Sequence, residues 1–188
     1  PNMKKIITVM IISILAVGSL SAQKYFTKTG TIEFDATTCS SPEKIEGTNR
    51  SATCVVDTKS GAIQFAVLMK GFAFERALME EHFNENYVES SKYPKSSFKG
   101  KITNLSEINF SSDGKYKAKV EGDLTIHGVT QKVKADGFIT VAAGKVTASS
   151  QKFEVKLKDY NINVPSLVKD KISEDIDIVV DCRYEPKK

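Results

Sequence analysis

Between residues 115 and 126, apolar and polar side chains alternate without a break, and that pattern limits what this chain can fold into. Tyr116, Ala118, Val120, Gly122, Leu124 and Ile126 fall on one side, while Lys115, Lys117, Lys119, Glu121, Asp123 and Thr125 fall on the other. Successive side chains of a strand point to opposite faces, so this is a half-buried strand with one wet face, as antiparallel sheets have. Its partner follows the turn His127-Gly128-Val129-Thr130, with Val133, Ala135, Gly137, Ile139 and Val141 at every second position.

The same period recurs along the chain. Ile32 and Phe34 alternate with acids over 29–36, and Ala52, Cys54 and Val56 share a face over 50–57. After the turn 58–61, Ile63, Phe65, Val67 and Met69 complete a hairpin. Phe98, Gly100 and Ile102 line up over 96–104, and a further short strand is expected around 105–110, before the turn Ser111-Ser112-Asp113-Gly114. Residues 145–158 form a strand with a register change near Ser150, which turns Phe153, Val155 and Leu157 inward. A mixed segment, 159–173, precedes a closing strand whose Ile176, Ile178, Val180 and Cys182 face in. Glycines at the inward positions 100, 122 and 137 permit tight bends. Closure also removes exposed sheet edges. The expectation is an all-β single domain, residues 23–188: an extended antiparallel barrel of about eight strands. A two-sheet sandwich is the alternative.

One stretch, 71–94, breaks the alternation. Leu78, Met79, His82 and Phe83 share one face of a short helix, opposite Glu75, Arg76, Glu80 and Glu81. Such a helix must lay its apolar stripe on apolar surface. It is either a cap closing the core or a rim over a cavity.

The first residues read as an export signal. Lys4 and Lys5 precede an apolar run, 6–17, that is short for a bilayer span, and small residues surround the expected cleavage point after Ala22. An exported chain, soluble once cut, follows from that reading. The chain has 27 Lys and Arg against 23 Asp and Glu, and cleavage removes Lys4 and Lys5, so the mature net charge is only +2. Spread along strands, these charges argue against a nucleic-acid partner. Cys39, Cys54 and Cys182 allow either one disulfide or buried free thiols.

Catalytic and metal signatures are missing from this pattern. The two histidines, His82 and His127, have no nearby cysteine at metal-ligand spacing and no serine in a nucleophile-elbow motif. His82 falls on the apolar side of the helix, and His127 is placed to cap a turn or bond to backbone. The expectation is a protein that is not an enzyme, with no metal. Lys70, Arg76 and Lys92 flank the helical stretch and could meet an anionic head group.

Two blocks, LMEEHFNENYVESSKYPKSSFKG (78–100) and GDLTIHGVTQKV (122–133), resemble the YceI-like polyisoprenoid-binding proteins, and DYNINVPSLVKDKISEDIDIVV (159–180) is similar too. The FNENY wording resembles exported members of Bacteroidetes type. The resemblance implies a lipocalin-like barrel, exported to the periplasm and holding a long isoprenoid chain there for transport or storage, with no catalytic residues. The expected lining is Phe34, Phe65, Val67, Phe72, Phe74, Leu78, Met79, His82, Phe83, Phe98, Ile102, Leu124, Ile126 and Phe153. A bound isoprenoid lipid or quinone is the only non-protein group expected, with transient membrane contact and a homodimer as further partners. The alternatives are a hydrolase or isomerase using His82 or His127 as base, and an envelope protein-interaction module using the helix surface.

Overall fold

A computed structural model describes residues 24–184; the expected leader, 1–22, lies outside the described residues. Eight strands run in chain order around a closed antiparallel barrel. They are β1 (Lys24–Thr37), β2 (Glu46–Asp57), β3 (Ala62–Leu68), β4 (Lys95–Ile102), β5 (Gly114–Ile126), β6 (Val129–Ala142), β7 (Lys145–Lys156) and β8 (Ile172–Arg183). Pairing of β1 with β8, from Thr31 opposite Asp181 to Thr37 opposite Ile172, closes the cylinder. The barrel, rather than the sandwich, is the fold.

The period-two residues explain why. In β5, Ala118, Val120 and Leu124 are buried while the intervening lysines and acids are exposed. Its turn to β6 is the two-residue His127-Gly128, both at positive φ (52° and 72°), which matches the twist of the flanking strands. Gly100 of β4 faces Gly122 of β5. A Cβ on Gly122 would lie 2.4 Å from the Gly100 Cα and 2.8 Å from the ring of Phe98, which covers both glycines.

Two expectations are corrected. The short strand around 105–110 is instead a single 3-10 turn, Leu105–Glu107. The buried side chain of Asn104 accepts from the Lys119 N–H at 2.8 Å and donates to the Lys117 carbonyl at 3.0 Å. It thereby takes the places on β5 that a continuing strand would need. The register change in β7 falls at Thr147, between the pairs Val141–Val146 and Thr140–Ala148, not near Ser150. The faces of Phe153 and Val155 are as expected, both buried.

Cys54 of β2 and Cys182 of β8 form a disulfide inside the barrel, and Cys39 is free and exposed. These two strands both flank β1, so in a flat sheet they would sit about 9–10 Å apart. Their Cα atoms are 6.3 Å apart, so the wall bends tightly here. The β1 register breaks on either side of Gly30, and a Cβ there would stand 2.7 Å from the Cys54 Sγ. Glycine lets the bridge pass beneath the middle strand.

After β3 the chain leaves the barrel wall. Asn49, fully buried on β2, donates to the Leu68 carbonyl at 3.1 Å, and Thr48 exchanges two backbone hydrogen bonds with Ala73. These contacts fold residues 69–76 back over the barrel end. There α1 (Ala77–His82) continues into a π-helical turn, Phe83–Tyr87.

Candidate functional site

The barrel is solid at one end and hollow at the other. Below the Phe65–Phe98 level, Val56, Ile63, Ile102, Val120, Ile139 and Val180 pack at 2 % exposure or less, in one core with Cys54 and Cys182. Above it opens a cavity of about 370 Å³. It is walled by inward positions of β1 (Ile32, Phe34, Ala36), β3 (Phe65, Val67), β5 (Leu124, Ile126), β7 (Phe153, Val155) and β8 (Ile172, Ile176, Ile178). The residues after β3 and after β7 roof it.

Four phenylalanines build one wall. Phe34 packs against Phe72, Phe74 and Phe83 with ring centroids 5.5, 5.8 and 5.5 Å apart, and Phe74 meets Phe83 at 5.0 Å. Phe34 comes from the barrel and the other three from the helical stretch, so stacking fastens the roof to the wall. The floor is a second aromatic set. Phe65 stacks on Phe98 at 4.8 Å and on Phe153 at 6.2 Å.

Of the expected lining, Phe34, Phe65, Val67, Phe72, Phe74, Met79, His82, Phe83, Leu124, Ile126 and Phe153 all border the cavity. Three do not. Leu78 is 61 % exposed, because α1 has only six residues and turns Met79 rather than Leu78 toward the opening. Phe98 and Ile102 are buried behind the Phe65 ring, in the solid half. None of the expected head-group cations, Lys70, Arg76 and Lys92, borders the cavity directly. Arg76 is paired with Glu43 and Lys92 lies 4.9 Å over the Tyr93 ring, while Lys171 and Glu43 are the charged residues at the mouth.

Several lining residues escaped the sequence reading. Ile32, Ile176 and Ile178 were legible as inward strand positions, whereas Tyr160, Ile162 and Val168 lie in the aperiodic segment after β7. Tyr160 is the most polar of these. Burial, with a smaller push from the Asp159 charge, raises its phenol to about 12. It is a neutral hydroxyl at any ordinary pH, and its oxygen has no hydrogen-bond partner. Burial likewise raises the Tyr87 phenol.

His82 is exposed at the mouth. His127 stands outside the cavity, with Nδ1 donating to the Tyr160 carbonyl at 3.0 Å and Nε2 2.5 Å from Glu89 Oε2. Both ring nitrogens are thus engaged in joining three segments. Among the described residues, no three His, Cys, Asp or Glu side chains gather as a metal site requires.

A closed up-and-down barrel with an apolar chamber roofed by a helical flap is the architecture of lipocalin-like binding proteins. Residues 23–184 match the family model of the YceI-like domain, and the chain belongs to that family. In fold it is similar to a polyisoprenoid-binding domain from Saccharophagus degradans implicated in plant cell wall breakdown, with TM-score 0.70 at 12% identity, covering 88% of this chain and 99% of that one. BcnA of Burkholderia cenocepacia superposes with TM-score 0.62 at 14% identity, over 81% of this chain and 94% of its own. The YCEI protein of Campylobacter jejuni does so with TM-score 0.56 at 22% identity, over 73% and 81%. No curated protein matches the chain by sequence.

Proposed function

We propose that this protein binds the hydrocarbon chain of an isoprenoid-type lipid, a prenylated quinone included, and carries or stores it in the periplasm. The observation that carries this reading is the roofed, aromatic-walled cavity of about 370 Å³. Each methylene moved from water into such a space contributes about 0.8 kcal/mol, so a chain of a few isoprene units binds firmly without polar contacts. The name of the Saccharophagus relative as polyisoprenoid-binding supports the same ligand class.

Binding, not catalysis, is the role we assign. The His127 ring stands outside the cavity and is committed on both sides to structural partners. Loading takes place by brief contact of the mouth with a membrane. The exposed Leu78 and Leu167 adjoin Met79 and Val168 at the opening and serve as the touching points.

The test is to express the full chain in a bacterial host, follow processing near Ala22 by fractionation, and extract the purified mature form for lipid mass spectrometry. Stoichiometric prenyl lipid is expected from the wild type. A Phe83→Glu variant, which sets a charge in the aromatic wall, should lose it while keeping its β-sheet circular dichroism. Recovery of no lipid from a folded wild type, or of equal lipid from both, would sink the reading.

A further inference from the structure

The lumen does not run through the barrel, and the residues that stop it are identifiable. Phe65 and Phe98, on adjacent strands, stack at 4.8 Å with an interplanar angle of 16°. Phe153 reaches the Phe65 ring from β7, on another part of the wall, at 6.2 Å and 27°. The three rings therefore form one stacked series across the lumen, with Phe65 in the middle. Phe65 and Phe153 border the cavity, and Phe98 does not. The next inward residues beyond them, Ile63 and Gln151, are buried and outside the cavity. The Phe98 ring is itself held from beneath. It lies over the Gly100–Gly122 pair, where any Cβ would collide with it.

We propose that this aromatic floor sets the length of hydrocarbon the protein accepts. Building on the lumen as a hydrocarbon site, the inference concerns how much of a chain is enclosed, whichever chain it is. At about 370 Å³ the cavity lies near the lower end of the roughly 300–1,000 Å³ usual for small-molecule sites. A short chain fits wholly, and a longer one reaches the rings and leaves its remainder at the mouth. Affinity then rises with length by about fourfold per methylene until the floor is met, and levels off beyond it.

Two ligand series separate this inference from the isoprenoid reading. Native mass spectrometry or calorimetry on the delipidated chain would compare geraniol, farnesol, geranylgeraniol and solanesol with n-alkanols of increasing length. The wild type is expected to show a plateau in both. Phe65→Ala, which removes a ring from the floor, should move the alkanol plateau several carbons longer and strengthen the longest chains tenfold or more relative to the shortest. Val67→Phe, one inward position above the floor, should move it shorter. Phe153→Leu is a second, milder opening for the case in which Phe65→Ala does not fold, with folding of both checked by thermal melting.

A plateau in alkanols without prenol binding upholds the floor and overturns only the isoprenoid ligand. Affinity that climbs without limit in the wild type overturns the floor. So does a plateau that stays in place in every folded variant, or uniform weakening at all lengths. Failure of both series to bind overturns both ideas.

Discussion

Glu89 and His127 meet at 2.5 Å, and each holds a left-handed backbone conformation, φ 44° and 52°. Side chains larger than glycine rarely adopt that region, and they persist there when their surroundings over-determine them. Here the surroundings are a three-way junction. Glu89 ends the helical flap, His127 turns β5 into β6, and Tyr160, whose carbonyl accepts from Nδ1, follows β7. Tyr93 packs edge-on against the imidazole at 4.5 Å. The pair is a fastening that holds the roof of the cavity to its wall.

His127→Ala is therefore expected to lower stability by about 2 kcal/mol, since it strips two partners from a nearly buried junction. Urea unfolding measures the loss. Hydrogen exchange would localise it: amides of Phe83–Tyr87 should exchange faster, while those of β5 stay protected. Uniform acceleration across the barrel would mean that the residue supports the fold as a whole instead of the flap.

Alkaline pH should weaken the fold in a defined window. Burial pushes the phenols of Tyr160 and Tyr184 up to about 12 from the ordinary 10. A folded pKa above the unfolded one means the native state holds the proton more tightly. That contribution is complete below pH 10 and is lost as pH rises from 10 to about 12. Roughly 2–3 kcal/mol is at stake for the deeply buried Tyr184, and less for Tyr160, which lines the cavity. Urea midpoints measured across this window should fall, and Tyr184→Phe should flatten part of the slope. That variant also removes the 2.8 Å hydrogen bond to Ser149, so its stability at neutral pH is the baseline.

The Cys54–Cys182 bridge spans 128 positions of sequence. A loop of that length corresponds to roughly 5 kcal/mol in the chain-entropy model, and loss of native bridges typically costs about 2–5 kcal/mol. The double Cys54→Ala, Cys182→Ala variant should unfold at correspondingly lower urea. In the native protein, iodoacetamide should label only the exposed Cys39 until a reductant is added. Labelling at Cys54 without reductant would show that the bridge does not form.

Gly122→Ala should be among the most damaging single-methyl changes. Its Cβ would sit 2.4 Å from both the Gly100 Cα and the Lys99 carbonyl oxygen, and backbone cannot step aside as a flexible side chain can. Overpacking of this kind costs about 1–3 kcal/mol or more. Gly144→Ala is the comparison. Its Cβ meets nothing within 4 Å, so any loss there reports only the positive φ of 69°.

Much of this molecule was written along its chain. Period-two alternation named inward residues in every barrel strand, because strand geometry admits only two faces and one had to be dry; where a bulge interrupts the period, as at Thr147 of β7, it did not. The broken period at 71–94 marked the flap. Other features depend on distance in space. Leu78 and Met79 are neighbours in sequence, and only the docking of a six-residue helix decides that Met79 meets the cavity. Phe98 and Phe65 look alike as inward aromatics; their stacking, seen only when β3 and β4 pair, places one at the cavity and the other behind it. The pairing of Cys54 with Cys182 needed β1 to bow between them at Gly30. Residues 157–171 carry no period at all, because they follow the rim of a closed barrel instead of a sheet, so Tyr160 and Ile162 became lining residues only once the cylinder closed. Alternation is a local property of the backbone and can be read in order. Where a cylinder stops being solid is set by side chains from distant strands meeting across it, which no stretch of sequence contains.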